Sequence, residues 1–456
     1  METNLNLILD PWISVQRRSG QIETIAPFKI TDQMDSNPVI KLCAPRPDFN
    51  GALIQFLIGL FQTAMAPENE KEWRGRFSAP PSPEELRKQL EPLAHAFNLL
   101  GEGPRFMQDM GLSANDQIPI NSILMDTNEA FFSKPVKTGQ FCPACASMAL
   151  IAIQQNAAAV GRGHRVSLRG SGPVTTLAED VDAPLWQNVW INLLNKHQLR
   201  LPKASNGLTD PFLWMDPEKY EHLRKREGVT PADISPLHCF WSQPIRLQLE
   251  APAADAQAPF HICSESRVLM ATIRRKSYGI QYETALWQHP LSPAKADDAG
   301  NFTPFRMKPD MILYSSWPNL LIENERSRPA KCVATVANER GGIGQNIRIF
   351  GYDVKDGQAK VRCWYESIEP LYSIPEEDVP RIRVAIFSLV EKSNQLNYIL
   401  LGAVEKAMFG TFDKERNRWT FPKAHSSDKW RKGIGSSIAK AFRDSTKELF
   451  FSLESN

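Results

Sequence analysis

The segment over residues 379–408 most tightly constrains what this chain can fold into. Glu376, Glu377 and Asp378 precede Val379-Pro380, so carboxylates and a proline stand where a helix N-terminus favours them. Ile382, Ile386, Leu389, Leu396, Leu400, Val404 and Ala407 then fall largely on one face. A helix of about 30 residues with one apolar stripe needs partner helices to cover it. A second amphipathic run over 429–453, with Ile434, Ile438, Ala441, Leu449 and Phe450 inward, supplies one partner. The spacing therefore predicts a helical, four-helix-bundle-like domain over 371–456, with the other helix pair coming from shorter segments, a missing C-terminal piece or a partner subunit.

Upstream, residues 1–370 read differently. Residues 5–15 suggest a strand, a break at Pro11 and a second strand, with Arg17-Arg18-Ser19-Gly20 turning into Gln21. Leu53, Phe56, Leu57, Leu60 and Phe61 recur at helical spacing and predict a buried helix over 49–65. Ser82 followed by Pro83, Glu84 and Glu85 opens another helix, running towards Leu99 with a kink or break at Pro92. From about 100 to 370 the pattern is irregular, with strand-like pieces over 245–249, 268–273 and 333–336. The expected class is α+β: a large mixed N-terminal domain with long loops, then the helical domain. A chain of 456 residues with 42% hydrophobic content can bury more than one core.

The charge is balanced, 53 Lys+Arg against 51 Asp+Glu, so any nucleic-acid contact must come from local patches or from an assembly. The longest apolar stretch, 52–61, is far below the roughly 20 residues of a membrane span. The N-terminus lacks a signal-peptide pattern, and seven thinly spread cysteines suit a reducing compartment. The expectation is a cytoplasmic protein that does not enter membranes.

Among local motifs, Cys142-Pro143-Ala144-Cys145 has the form of a zinc knuckle. Two further ligands would come from His261 and Cys263, or from His238 and Cys239; otherwise the pair is two buried cysteines with no metal. A closed site of this kind would be structural zinc. Glycine loops stand at Val160-Gly161-Arg162-Gly163-His164-Arg165 and at Gly341-Gly342-Ile343-Gly344, neither in a βαβ context that would hold a dinucleotide. They are either plain turns or places of close backbone approach to nucleic acid, with Arg162, Arg165 and Arg169 as phosphate or minor-groove contacts. Arg274-Arg275-Lys276 beside Tyr278 is a solvated strand end or a phosphate contact. Residues 352–360 suggest a hairpin with Asp356-Gly357 at its turn and Gln358 near the tip.

Catalysis finds little support. The eight histidines form no HxH or HExxH pair, and neither a nucleophile elbow nor a P-loop occurs. The sequence points to binding rather than turnover.

Together these segments resemble the CasA family, the large subunit of the type I-E CRISPR surveillance complex called Cascade. The opening Leu7-Ile8-Leu9-Asp10-Pro11-Trp12 resembles the family's N-terminal signature, and Arg105-Phe106-Met107-Gln108 its PFMQ-type segment. Leu168-Arg169-Gly170-Ser171-Gly172-Pro173-Val174-Thr175-Thr176 is close to its LRGGxPVTT segment. Leu286-Trp287-Gln288-His289-Pro290-Leu291-Ser292-Pro293 is similar to its LWPHPxSP segment.

The resemblance implies a non-enzymatic subunit that works with other Cascade subunits and CRISPR RNA. It implies recognition of a short protospacer-adjacent motif (PAM) in double-stranded target DNA, help in strand separation and R-loop formation, and recruitment of a helicase–nuclease. The family's glycine loop then corresponds to 159–163, with Gly161, Arg162 and Gly163; its wedge glutamine to Gln358, flanked by Lys355; and its lysine finger to a place near Tyr278, where Lys276 is the closest cation. The family's docking loop corresponds to Phe131, Phe132 and Ser133, and half of its zinc site to Cys263 with His261. The rival reading is a zinc-assisted nucleic-acid hydrolase resting on Cys142, Cys145 and the basic loops. A third is a scaffold subunit without DNA contact.

Overall fold

The computed structural model describes residues 5–125, 139–159, 163–199, 211–250, 269–308, 316–341, 343–355, 360–371, 379–422 and 425–454. The expected helix near the N-terminus spans Pro47–Met65 and is the spine of the body: sixteen of its residues, including Phe49, Phe56, Leu60 and Phe61, are buried. A helix apolar all round must be enclosed on every side. The helices Pro143–Asn156 and Leu185–Trp190 and the short 3-10 helix Pro236–Trp241 pack around it. At Gly59 the helix Pro236–Trp241 comes close, because a Cβ there would stand 2.9 Å from Cβ of Phe240.

Around this spine lie small antiparallel sheets. Ile13–Arg17 pairs with Ile22–Ile25 and Val39–Leu42, and the Arg17-to-Gly20 turn closes with Gly20 at φ +88°. Gln117–Pro119, Thr272–Lys276 and Arg246–Leu249 form a second sheet with Thr272–Lys276 central. The longest ladder joins Asn346–Lys355 to Lys360–Pro370, with Thr175–Glu179 on its other edge. Ala294–Ala296, between Phe302–Pro304 and Ser327–Arg328, makes a fourth.

Several sequence expectations hold in detail. Ser82 caps Pro83–Leu90 with a reciprocal capping box to Glu85, and Pro92 ends the α-helix in a 3-10 turn, Glu91–Ala96. The hairpin over 352–360 exists as the paired strand ends Lys355 and Lys360. Others fail for local reasons. Residues 5–10 form a turn rather than a strand, because the Asn6 side chain accepts the backbone N–H groups of Ile8 and Leu9 and Asp10 accepts that of Asn6. Residues 333–336 lie in the helix Lys331–Glu339, where burying Cys332, Val333 and Val336 outweighs the strand preference of valine.

At the C-terminus, Val379–Phe409 and Ser436–Glu454 pack on each other, joined by a hairpin, Thr411–Asp413 with Arg418–Thr420, that the periodicity did not reveal. They reach the body through Trp317, whose ring meets Phe450 and Phe451 edge-on, and through Lys447, 2.7 Å from the buried Glu369. The second amphipathic run breaks at Gly433, whose backbone is non-helical, so Ile434 is turned outward. Leu396, Ala407, Ala441 and Leu449, expected inside, are exposed as well: the contact strip is narrow, and Asn397 and Glu405 occupy part of it. Glu405 holds His425 at 2.9 Å and Arg431 at 3.7 Å there.

Candidate nucleic-acid interface

The strand Thr272–Lys276 divides its three cations by the alternation of a pleated strand. Arg274 pairs with Glu250 at 2.8 Å, and Lys276 lies 3.7 Å from the carboxylate of Asp116. Arg275, on the opposite face, donates to the carbonyl of Ser122 at 3.1 Å and to Nδ1 of His164 at 3.4 Å. Burial lowers the Arg275 pKa, and burial followed by the Arg275 charge lowers that of His164.

Just past the strand, Tyr278 takes a left-handed conformation, φ +63°, which a bulky side chain rarely adopts. Its N–H donates to the carbonyl of Gly163 at 2.8 Å. Gly163 itself has φ +80°, and a Cβ there would stand 2.9 Å from Ser277. Glycine is needed at 163 on both counts. The Tyr278 ring remains exposed, with the Arg165 guanidinium 5.8 Å from its centre. Lys276, Ser277 and Tyr278 also border a cavity of about 700 Å³ whose floor includes the buried Asp109–Arg246 pair.

A small apolar cluster sits nearby: Ala158, Tyr352 and Val361, with Met125, Val354 and Trp364 against it. Met125 directly precedes the segment 126–138, Ala158 lies just before 160–162, and Val354 and Val361 flank 356–359. The expected docking loop, glycine loop and wedge hairpin thus leave the body around one cluster. Phe131, Phe132, Ser133, Gly161, Arg162 and Gln358 themselves lie outside the described residues, as do His261 and Cys263. Lys355 ends its strand opposite Lys360. A cleft of about 420 Å³ opens beside the cluster, lined by Met125, Ala158, Val361, His164 and Arg275 among others.

One expected contact is corrected. Arg169 is no phosphate ligand: it is 3% exposed and donates to Thr175, Ser292, Gln55 and the carbonyl of Gln155. It ties the central helix to the two most distinctive sequence segments, and burial lowers its pKa to about 10. Arg165 is partly exposed and donates to the Gly279 carbonyl and to Gln281, at 3.2 and 2.6 Å, with further N–H groups left over.

Cys142 caps the helix Pro143–Asn156, its sulfur accepting the Cys145 N–H at 3.3 Å; both thiols are buried. The proposed rival ligand His238 is excluded, since Nδ1 meets the Pro211 carbonyl and Nε2 the Tyr282 hydroxyl, each at 2.8 Å. Among the described residues no three His, Cys, Asp or Glu side chains gather as a metal site. No helix among them is long and apolar enough to cross a membrane.

The family described as CRISPR-associated protein Cse1 (CRISPR_cse1) matches residues 6–454. The chain belongs to the Cse1 family. This is the CasA family that the sequence segments resemble, the large subunit of Cascade. Cse1 from Acidimicrobium ferrooxidans has the same fold, with a TM-score of 0.70 at 15% identity over 100% of this chain and 87% of that one. Cse1 from Thermobifida fusca matches at 0.67 and 16%, over 98% and 85%. A chain of a CRISPR RNA-guided surveillance complex matches at 0.58 and 16%, over 88% and 84%. The Cse1 fold therefore persists where sequence identity has fallen far.

Sequence reasoning quoted Arg275 and His164 only as members of longer motifs. Strand alternation could have separated Arg275 from its neighbours. Nothing in the sequence announced His164 as its companion.

Proposed function

We propose that this Cse1-family chain acts as the DNA-interrogating large subunit of a CRISPR RNA-guided complex. In this reading it recognises a PAM in duplex DNA, begins strand separation and helps recruit a helicase–nuclease. The observation that carries the proposal is the convergence around Met125, Ala158, Val354 and Val361 of the chain ends leading into the three expected functional segments, next to the Gly163–Tyr278 contact. A binding role needs such segments on one rigid base. Gln358 would enter the duplex as a wedge while Lys355 neutralises phosphate, Tyr278 would stand where the family has its lysine finger with Lys276 beside it, and Phe131 and Phe132 would dock onto the complex. The subunit would perform no chemistry of its own.

Structural zinc belongs to the same proposal. Cys142 and Cys145, paired at one helix end, would give two thiolates, with His261 and Cys263 completing the set; the metal would brace the base of the preceding loop.

Co-expression with CRISPR RNA and the other subunits tests the assignment. The chain should co-purify with them as one ribonucleoprotein, and Phe131→Ala with Phe132→Ala should weaken that association without unfolding the free chain by circular dichroism. Metal-dependent DNA cleavage by the purified chain, abolished by a single substitution, would favour the hydrolase instead.

A further inference from the structure

Arg275 is the one cation of its strand trio that no carboxylate among the described residues neutralises. Arg169 is likewise without a carboxylate, but it is fully enclosed by four acceptors. Arg275 instead borders an open cleft of about 420 Å³ in which His164 is the only other titratable group among the described residues. Its two hydrogen bonds, to Ser122 and His164, hold the guanidinium in place and leave Nε–H and further terminal N–H groups without an acceptor among the described residues. A half-buried positive charge without a counterion is costly, and that cost is recovered when an anion enters.

We infer that the Arg275–His164 cleft is a phosphate-binding site that receives a backbone phosphate of nucleic acid. A guanidinium fork matches two phosphate oxygens at once, which a lysine cannot do. His164 adds a second donor. Its Nδ1 accepts from Arg275, so the neutral ring carries its proton on Nε2. Asn121 and Ser122 keep the wall polar. Burial, and then the adjacent Arg275 charge, lowers the His164 pKa and favours the neutral ring.

The inference rests on the nucleic-acid reading above, and it places one phosphate where the glycine loop meets the body. The anion could come from target DNA or from CRISPR RNA, and the test separates them.

In the free full-length chain, inorganic phosphate is titrated while the histidine ring signals are followed by NMR, with His164 assigned from His164→Gln. The inference predicts a saturable shift of the His164 signal that is absent in Arg275→Gln and partly kept in Arg275→Lys. A His164 signal indifferent to phosphate overturns it. In the assembled complex, Arg275→Gln should lower affinity several-fold and reduce the salt slope by about one phosphate contact. The loss falls on duplex binding if the phosphate is DNA's and on CRISPR RNA retention if it is RNA's. Unchanged values in both arms overturn the inference while leaving wild-type binding, and hence the broader function, intact. A wild-type complex that binds neither nucleic acid would defeat the broader function, and with it a nucleic-acid phosphate in this cleft.

Discussion

The backbone N–H of Tyr278 donates to the carbonyl of Gly163 at 2.8 Å, and both residues hold positive φ. The contact fastens the end of the glycine loop to the end of the cationic strand. Gly163→Ala would add a Cβ 2.9 Å from Ser277 in a left-handed backbone, a strain of about 1–2 kcal/mol. The expected outcome is a small fall in Tm with a disproportionate loss of duplex binding by the assembled complex. Thermal melts beside a binding titration check it; equal binding would show that the contact only shapes a turn.

Arg169 is a structural pillar. Arg169→Met should destabilise the chain by roughly 2–4 kcal/mol, because Gln55 and the Gln155 carbonyl lose a charged donor inside the core. Urea unfolding of the free chain measures this. A cost within error of zero would mean that the core repacks around the loss.

His289 supplies a pH dependence. Burial, then the nearby Arg169 charge, lowers its pKa well below the usual histidine value, and Nδ1 accepts the Leu291 N–H at 3.1 Å. The folded state thus binds this proton less readily than the unfolded chain does. Its contribution is present above the unfolded pKa of about 6.5 and is lost as pH falls below it, at up to about 1.4 kcal/mol per pH unit. His289→Asn keeps an acceptor near Nδ1 and should flatten that part of the curve. Denaturant titrations between about pH 8 and about pH 5 compare the two, and parallel curves would refute the assignment.

The knuckle predicts metal. Chelator-free protein should contain about one zinc per chain, and Cys142→Ser with Cys145→Ser should lower Tm without altering DNA preference. Elemental analysis that finds no zinc would leave two buried thiols.

Much of the architecture could be read directly. The apolar run around Phe56 had to be an enclosed helix, and Ser82 before Pro83, Glu84 and Glu85 marked a helix start. What stayed hidden depends on local side-chain competition for the backbone and on distant packing partners. The Asn6 side chain diverts a strand-like sequence into a turn, and the helix at Lys331 draws its valines from a strand pattern into the core. The site was legible as separate motifs whose meeting could not be seen. No spacing along the chain says that Met125, Ala158 and Val361 touch one cluster. Nothing in the sequence ranks Arg169 and Arg275 differently as ligands, and only burial and the company of acceptors separate pillar from candidate ligand.

R-loop formation on PAM-bearing duplex DNA tests the central claim most directly, measured with complexes that lack this chain, contain it, or contain Gln358→Ala. Opening the first base pair costs roughly a few kcal/mol, which a wedge would partly supply. The account predicts that opening depends on the chain and is slowed by Gln358→Ala, while binding of a single-stranded target changes far less. Duplex opening at the same rate with and without the chain would contradict it.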